Sequence, residues 1–131
     1  MLIHDFIMSD REEILKYTYI DPDDNDITFL NPIMAEHRKL KKIFSKRCIS
    51  ISDDIILDNV EAFAHIPTYW DILDNKEQGL FYHGITIIEA ENVPELVQVL
   101  LTLEDKPKIK ELIKLCNIAI DENKYIVHFG I

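Results

Sequence analysis

The sequence predicts an α/β chain of the α+β type. It should hold a small, mostly antiparallel sheet covered by helices and close with a C-terminal strand–helix–helix–strand unit. Two observations carry this reading. Between 80 and 129, two segments rich in Ile, Val, Phe and Tyr bracket two stretches whose apolar residues recur at helical spacing. Glycine occurs only at 79, 84 and 130, too sparsely for a loop-rich β barrel, and no repeat, low-complexity tract or linker interrupts the chain. With 131 residues and 47% hydrophobic content, the chain fits a single domain, 1–131. That length buries enough surface to fold without a staple.

Residues 1–8 are apolar without a clear period and read as a first strand. Ser9 and Glu12 have the spacing of a capping box, which predicts a short helix over 10–17. The run 21–26 holds Pro22, Asn25 and four aspartates, and reads as a loop. Asn31 followed by Pro32 is a helix start. In the helix it opens, Ile33, His37, Leu40, Ile43 and Phe44 share one face, and a basic run occupies the other. Residues 48–51 alternate like a strand. In 53–65, residues 54–57 fit a strand and 60–64 fit a helix; Pro67 ends the segment.

Residues 80–89 read as a strand. Asn92 and Pro94 open a helix to about 103, with Val93, Leu96, Val97, Val99, Leu100, Leu101 and Leu103 covering more than half its circumference. Asp105 and Pro107 start the next helix. There Ile109, Leu112, Ile113, Cys116, Ala119 and Ile120 face inward, while Lys110, Glu111, Lys114 and Asn117 face water. Residues 124–129 form the last strand. Cys48 and Cys116 lie in apolar surroundings with no metal or redox spacing, and read as buried free thiols. No basic-then-apolar leader and no membrane-length apolar run occurs, which predicts a cytoplasmic protein.

Charge is the strongest functional signal. The net formal charge is −10. Six of the 14 basic residues, Arg38, Lys39, Lys41, Lys42, Lys46 and Arg47, fall in one ten-residue run that contains no acid. The remaining 121 residues carry 8 basic and 24 acidic groups, a balance of −16. Scattered glycines exclude the dinucleotide and P-loop cradles, and no G-x-S-x-G elbow occurs. The histidines at 4, 37, 65, 83 and 128 lack metal-ligand spacing. Neither a catalytic residue nor a cofactor is assigned. His83 and His128 fall on segments that can be neighbouring strands, which keeps a small unrecognised enzyme open as a further reading.

The basic run offers a nucleic-acid-associated regulator acting through 38–47. Against it, the run lacks interleaved aromatics and the base-reading amides, and the rest of the chain repels a polyanion. The acidic segments fit a basic protein partner better. They supply Asp21, Asp23, Asp24 and Asp26, then Asp53, Asp54, Asp58 and Glu61, then Asp71, Asp74 and Glu77 beside Tyr69 and Trp70. Carboxylates steer and aromatics anchor such a contact. Trp70 has two readings here, as an anchor or as a core residue on a short helix.

The chain resembles, in general character, the immunity proteins of bacterial polymorphic-toxin and contact-dependent growth inhibition systems. The resemblance rests on an acidic, glycine-poor, Ile- and Asp-rich composition. It also rests on the segments Leu80-Phe81-Tyr82-His83-Gly84-Ile85-Thr86-Ile87-Ile88 and Tyr125-Ile126-Val127-His128-Phe129-Gly130-Ile131. It implies a protein that binds a cognate toxin domain, often a basic nuclease, and occludes its active site or substrate surface. An adaptor or structural subunit is the remaining alternative.

Overall fold

A computed structural model describes residues 2–12, 48–71, 75–103 and 106–130. The elements are β1 (Ile3–Ser9), β2 (Cys48–Ser52), α1 (Asp53–Asp58), α2 (Val60–Phe63), β3 (Pro67–Trp70), β4 (Lys76–Gln78) and β5 (Ile85–Ile88), followed by α3 (Val93–Thr102), α4 (Pro107–Glu122) and β6 (Tyr125–Phe129). The strands form one six-stranded sheet in the order β2-β1-β6-β5-β3-β4, and every neighbouring pair is antiparallel. The result is a small α+β fold with its sheet partly covered by helices. β5, α3, α4 and β6 make the C-terminal strand–helix–helix–strand unit, with β5 and β6 adjacent in the sheet.

Both faces of the central strands are buried. One face sets Phe6, Met8, Ile51, Ile88 and Ile126 against Leu96, Leu100, Leu112 and Cys116 of the helices. The other gathers Ile7, Ile85, Ile87, Val127 and Phe129. A strand buried on both faces reads as a continuous apolar run rather than an alternation. That is why residues 1–8 show no clear period.

The helical segments follow their apolar spacing. α3 buries Val93, Leu96, Val97 and Leu100, and α4 buries Ile109, Leu112, Leu115, Cys116 and Ala119. Burial pushes the Cys116 thiol up to about 12. Both cysteines are free, Cys116 buried and Cys48 half-buried. α4 ends at Asn123, whose left-handed φ of 56° lets its N–H and that of Lys124 cap the last carbonyls. Asn123→Ala should lower stability by about 1 kcal/mol, the usual penalty for a Cβ in that conformation without a local polar partner. Thermal denaturation of the pair of proteins checks it.

Six expectations change. Residues 54–57 are helical, not strand, because Ile56 alone of that apolar group turns fully inward. Trp70 sits on a strand rather than a short helix. The strand expected over 80–89 shortens to β5, since Gly84 N–H closes a turn onto the Phe81 carbonyl at 3.1 Å. Leu101 is 61% exposed, because it lies about a quarter-turn from the buried stripe of α3. The Ser9 cap bond is not made among the described residues: Ser9 ends β1 and its hydroxyl is buried without a partner there. The cap position of α4 is taken by Lys106. Residues 13–17, the loop 21–26, the basic helix over 32–46 and Asp105 lie outside the described residues. No helix among the described residues is long and apolar enough to cross a membrane.

Candidate functional site

α1 starts where β2 ends, with Asp53 and Asp54 in its first turn, where the helix dipole favours acids. The helix stops after six residues at Asn59, whose backbone N–H returns to the Ile56 carbonyl and whose side-chain amide donates to the Ile55 carbonyl at 2.8 Å. α2 then starts in a new direction. Ile56 and Phe63 point into the core, so the residues between them are turned outward. Leu57 is 56% exposed and Val60 is 45% exposed. Asp54, Asp58 and Glu61 are exposed beside them, and among the described residues they make no ion pair.

Two hollows meet on this corner. One, of about 510 Å³, is lined by Leu57, Asp58, Asn59, Val60, Glu61 and Ala62. The other, of about 250 Å³, is lined by Asp54, Ile55, Asp58 and Asn59 of the α1 side and by Thr102, Leu103 and Lys106 opposite. Asp58 and Asn59 form the ridge between them.

Asp53 is held differently from its neighbours. Its Oδ1 accepts hydrogen bonds from His4 Nε2 at 2.8 Å and from the Tyr82 hydroxyl at 2.5 Å. His4 Nδ1 lies 2.8 Å from His128 Nε2, and His128 Nδ1 lies 3.1 Å from Thr86 Oγ1, which accepts the Phe81 N–H at 2.7 Å. The carboxylate end fixes the first link: a carboxylate only accepts, so His4 Nε2 carries a hydrogen and donates it to Asp53. Beyond that link, one hydrogen is shared between His4 Nδ1 and His128 Nε2, and the Thr86 hydroxyl closes the far end on His128 Nδ1.

Burial, reinforced by His4, lowers His128 to about 3. The Tyr82 hydroxyl and His4 hold the Asp53 carboxyl below the usual carboxylate range, and Asp53 in turn raises Tyr82. His4 and His128 stack with centroids 5.0 Å apart, and both are 0% exposed. The two facing nitrogens are spent on one another. Among the described residues no group of three His, Cys, Asp or Glu could hold a metal ion. The chain of bonds ties β1, β5, β6 and the turn at Tyr82 to the first residue of α1, and so fixes where α1 begins.

The residues expected to bind a partner divide as follows. Asp53 serves this lock. Asp54, Asp58 and Glu61 share the outward corner, and Glu77 is exposed on β4. Tyr69 packs on the sheet face opposite the helices and hydrogen-bonds Glu89, which raises its hydroxyl. Trp70 stacks on Phe81 at 4.6 Å and donates its Nε1–H to the Gly79 carbonyl at 3.0 Å. Asp71 occupies a left-handed turn with φ 65° and accepts the Ile85 N–H at 3.3 Å; burial raises its carboxyl. Asp21, Asp23, Asp24, Asp26 and Asp74 lie outside the described residues, as does the basic run 38–47.

Sequence reasoning missed Leu57 and Val60: helical spacing from Ile56 leaves Leu57 outside, whereas Val60, one turn from both Ile56 and Phe63, faces water because the helix breaks at Asn59. It left open whether His83 and His128 meet and did not foresee His4: His128 bonds His4, and the His83 ring packs edge-on to Tyr82 at 4.8 Å. No protein-family model, no curated protein and no solved structure matches the chain.

Proposed function

We propose that this chain is a stoichiometric inhibitor of the immunity type, which binds a basic toxin domain, such as a nuclease, and covers its active site or substrate surface. One observation carries the reading: Asp54, Asp58 and Glu61 stand exposed on one corner and make no ion pair among the described residues. The chain as a whole is at −10. Exposed carboxylates gathered in one place steer a basic partner and stand in for nucleic-acid phosphates against its Lys and Arg.

The test looks for a large secreted protein encoded beside this gene and uses its C-terminal domain. Calorimetry should give a 1:1 complex that abolishes the domain's toxicity on co-expression. Stopped-flow association should slow by tenfold or more as salt rises from low to about 0.5 M, as steered encounters do. The absence of such a neighbour, or a neighbouring domain that neither binds nor is neutralised, overturns the reading.

A further inference from the structure

We infer that the docking surface is the α1–α2 corner, and that its occupant is a basic protein surface presenting an arginine next to aliphatic side chains. This rests on the toxin-binding reading above and specifies its contact face. Exposed apolar residues scattered singly are ordinary. Leu57 and Val60 are not scattered: they line one hollow, three residues apart across the break between α1 and α2, and they flank the ridge formed by Asp58 and Asn59.

Across that ridge the surface changes character. The cleft beyond it has the carboxylates of Asp54 and Asp58 on one wall, with Ile55 and Leu103 as apolar floor. The C-terminal ends of α1 and α3 both border it. Helix C-termini carry partial negative charge and are normally complemented by a basic residue in the last turn. Neither α1 nor α3 has one. Lys106 on the opposite wall brings one positive charge against two carboxylates and two helix ends. Among the described residues the cleft is thus net negative, which suits a cation brought by a partner.

A guanidinium suits the place better than an ammonium. Its planar fork can bridge separate acceptors, and it is weakly enough hydrated to lie on Ile55 and Leu103. The Asp54 and Asp58 side chains lie one turn apart on α1, so a single fork can address both. The partner's aliphatic side chains then rest on Leu57 and Val60. An apolar anchor beside a charged rim is the composition of an interface hot spot.

Binding of the neighbouring toxin domain to Leu57→Asp, Asp58→Asn and, as a control for added surface charge, Ile118→Asp tests this. Ile118 is a comparably exposed apolar residue on α4. Leu57→Asp should weaken binding by about thirtyfold or more, the loss of one anchor. Asp58→Asn should lower the association rate and its salt dependence, and Ile118→Asp should bind like the parent. Melting temperatures should be unchanged, since the replaced side chains face water. Amide shifts on titration with a short alternating Arg–Leu peptide should fall at 54–62 and 101–106.

Full-affinity binding by Leu57→Asp, or shifts confined elsewhere, overturns the docking surface while leaving the inhibitor reading intact. Failure of the parent protein to bind the toxin domain overturns that reading itself. A salt-sensitive dimer abolished by Leu57→Asp would identify a second copy as the occupant, and would overturn the assignment of a foreign partner.

Discussion

Acidification from pH 7 to pH 4 should lower the melting temperature of this protein steadily, and His128→Gln should flatten that decline. The sign follows from where the protons go. An unfolded histidine takes up a proton as the pH falls through about 6.5. Folded His128 holds out to about 3, because burial and His4 oppose its charge. Between those limits the unfolded state binds more protons, so stability falls as the pH falls. The contribution is complete above 6.5 and is lost progressively below it. The slope is that of one proton, and its integral is several kcal/mol, a large share of the roughly 5–15 kcal/mol that a domain possesses. Asp53 acts in a lower window. Its depressed carboxyl adds stability above the ordinary carboxylate range, and that stability disappears as the pH falls through its folded value. Calorimetry across pH separates the two. His128→Gln should be less stable at pH 7 yet less sensitive between 6.5 and 4; a variant that keeps the parental slope would show that another group carries it.

Gly130→Ala should be among the most damaging single substitutions, costing about 3 kcal/mol or more. A Cβ there would lie 2.1 Å from the Tyr82 carbonyl oxygen, 2.7 Å from its carbon and 2.9 Å from the Phe81 oxygen. All three are backbone atoms, so no side-chain rotation relieves the clash. The Gly130 N–H also donates to the Gly84 carbonyl at 2.7 Å, so the end of β6 and the turn over 81–84 are fastened together. Moving that turn withdraws the Tyr82 hydroxyl from Asp53. Urea unfolding should show the loss. Spectrophotometric titration should show a tyrosine released toward pH 10 from the raised value that Asp53 imposes. A variant with parental stability and parental tyrosine titration would show that the turn accommodates the methyl without cost.

The fold was largely readable where one local signal dominates. α3 and α4 follow apolar residues at helical spacing, and each has a proline in its first turn. β3 and β4 were not readable. Four residues beginning with Pro67 and the three polar residues Lys76, Glu77 and Gln78 carry no strand pattern, and they pair only because β5 supplies a neighbour. The candidate surface was half readable. Charge marked Asp54, Asp58 and Glu61, but whether 54–57 was strand or helix decided which apolar residue faces water, and period alone left that open. The lock was not readable as a unit, because His4, Asp53, Tyr82, Thr86 and His128 come from five places in the chain. Its trace was there all the same: His4 and His128 each interrupt an apolar strand. The β1–β6 register, with Phe6 opposite His128, puts them on one face.

The position of β1 has a consequence for how the protein is made. This first strand is an interior member of the sheet, flanked by β2 and by β6, which lies far later in the chain. As the chain emerges from the ribosome, Phe6, Ile7 and Met8 must wait for residues 125–129 before their second edge is paired. Contacts so distant in sequence fold slowly and leave apolar strand edges uncovered meanwhile. Folding is therefore completed only once residues 125–129 have left the ribosome, and the nascent chain is a natural client for a holding chaperone until β6 arrives.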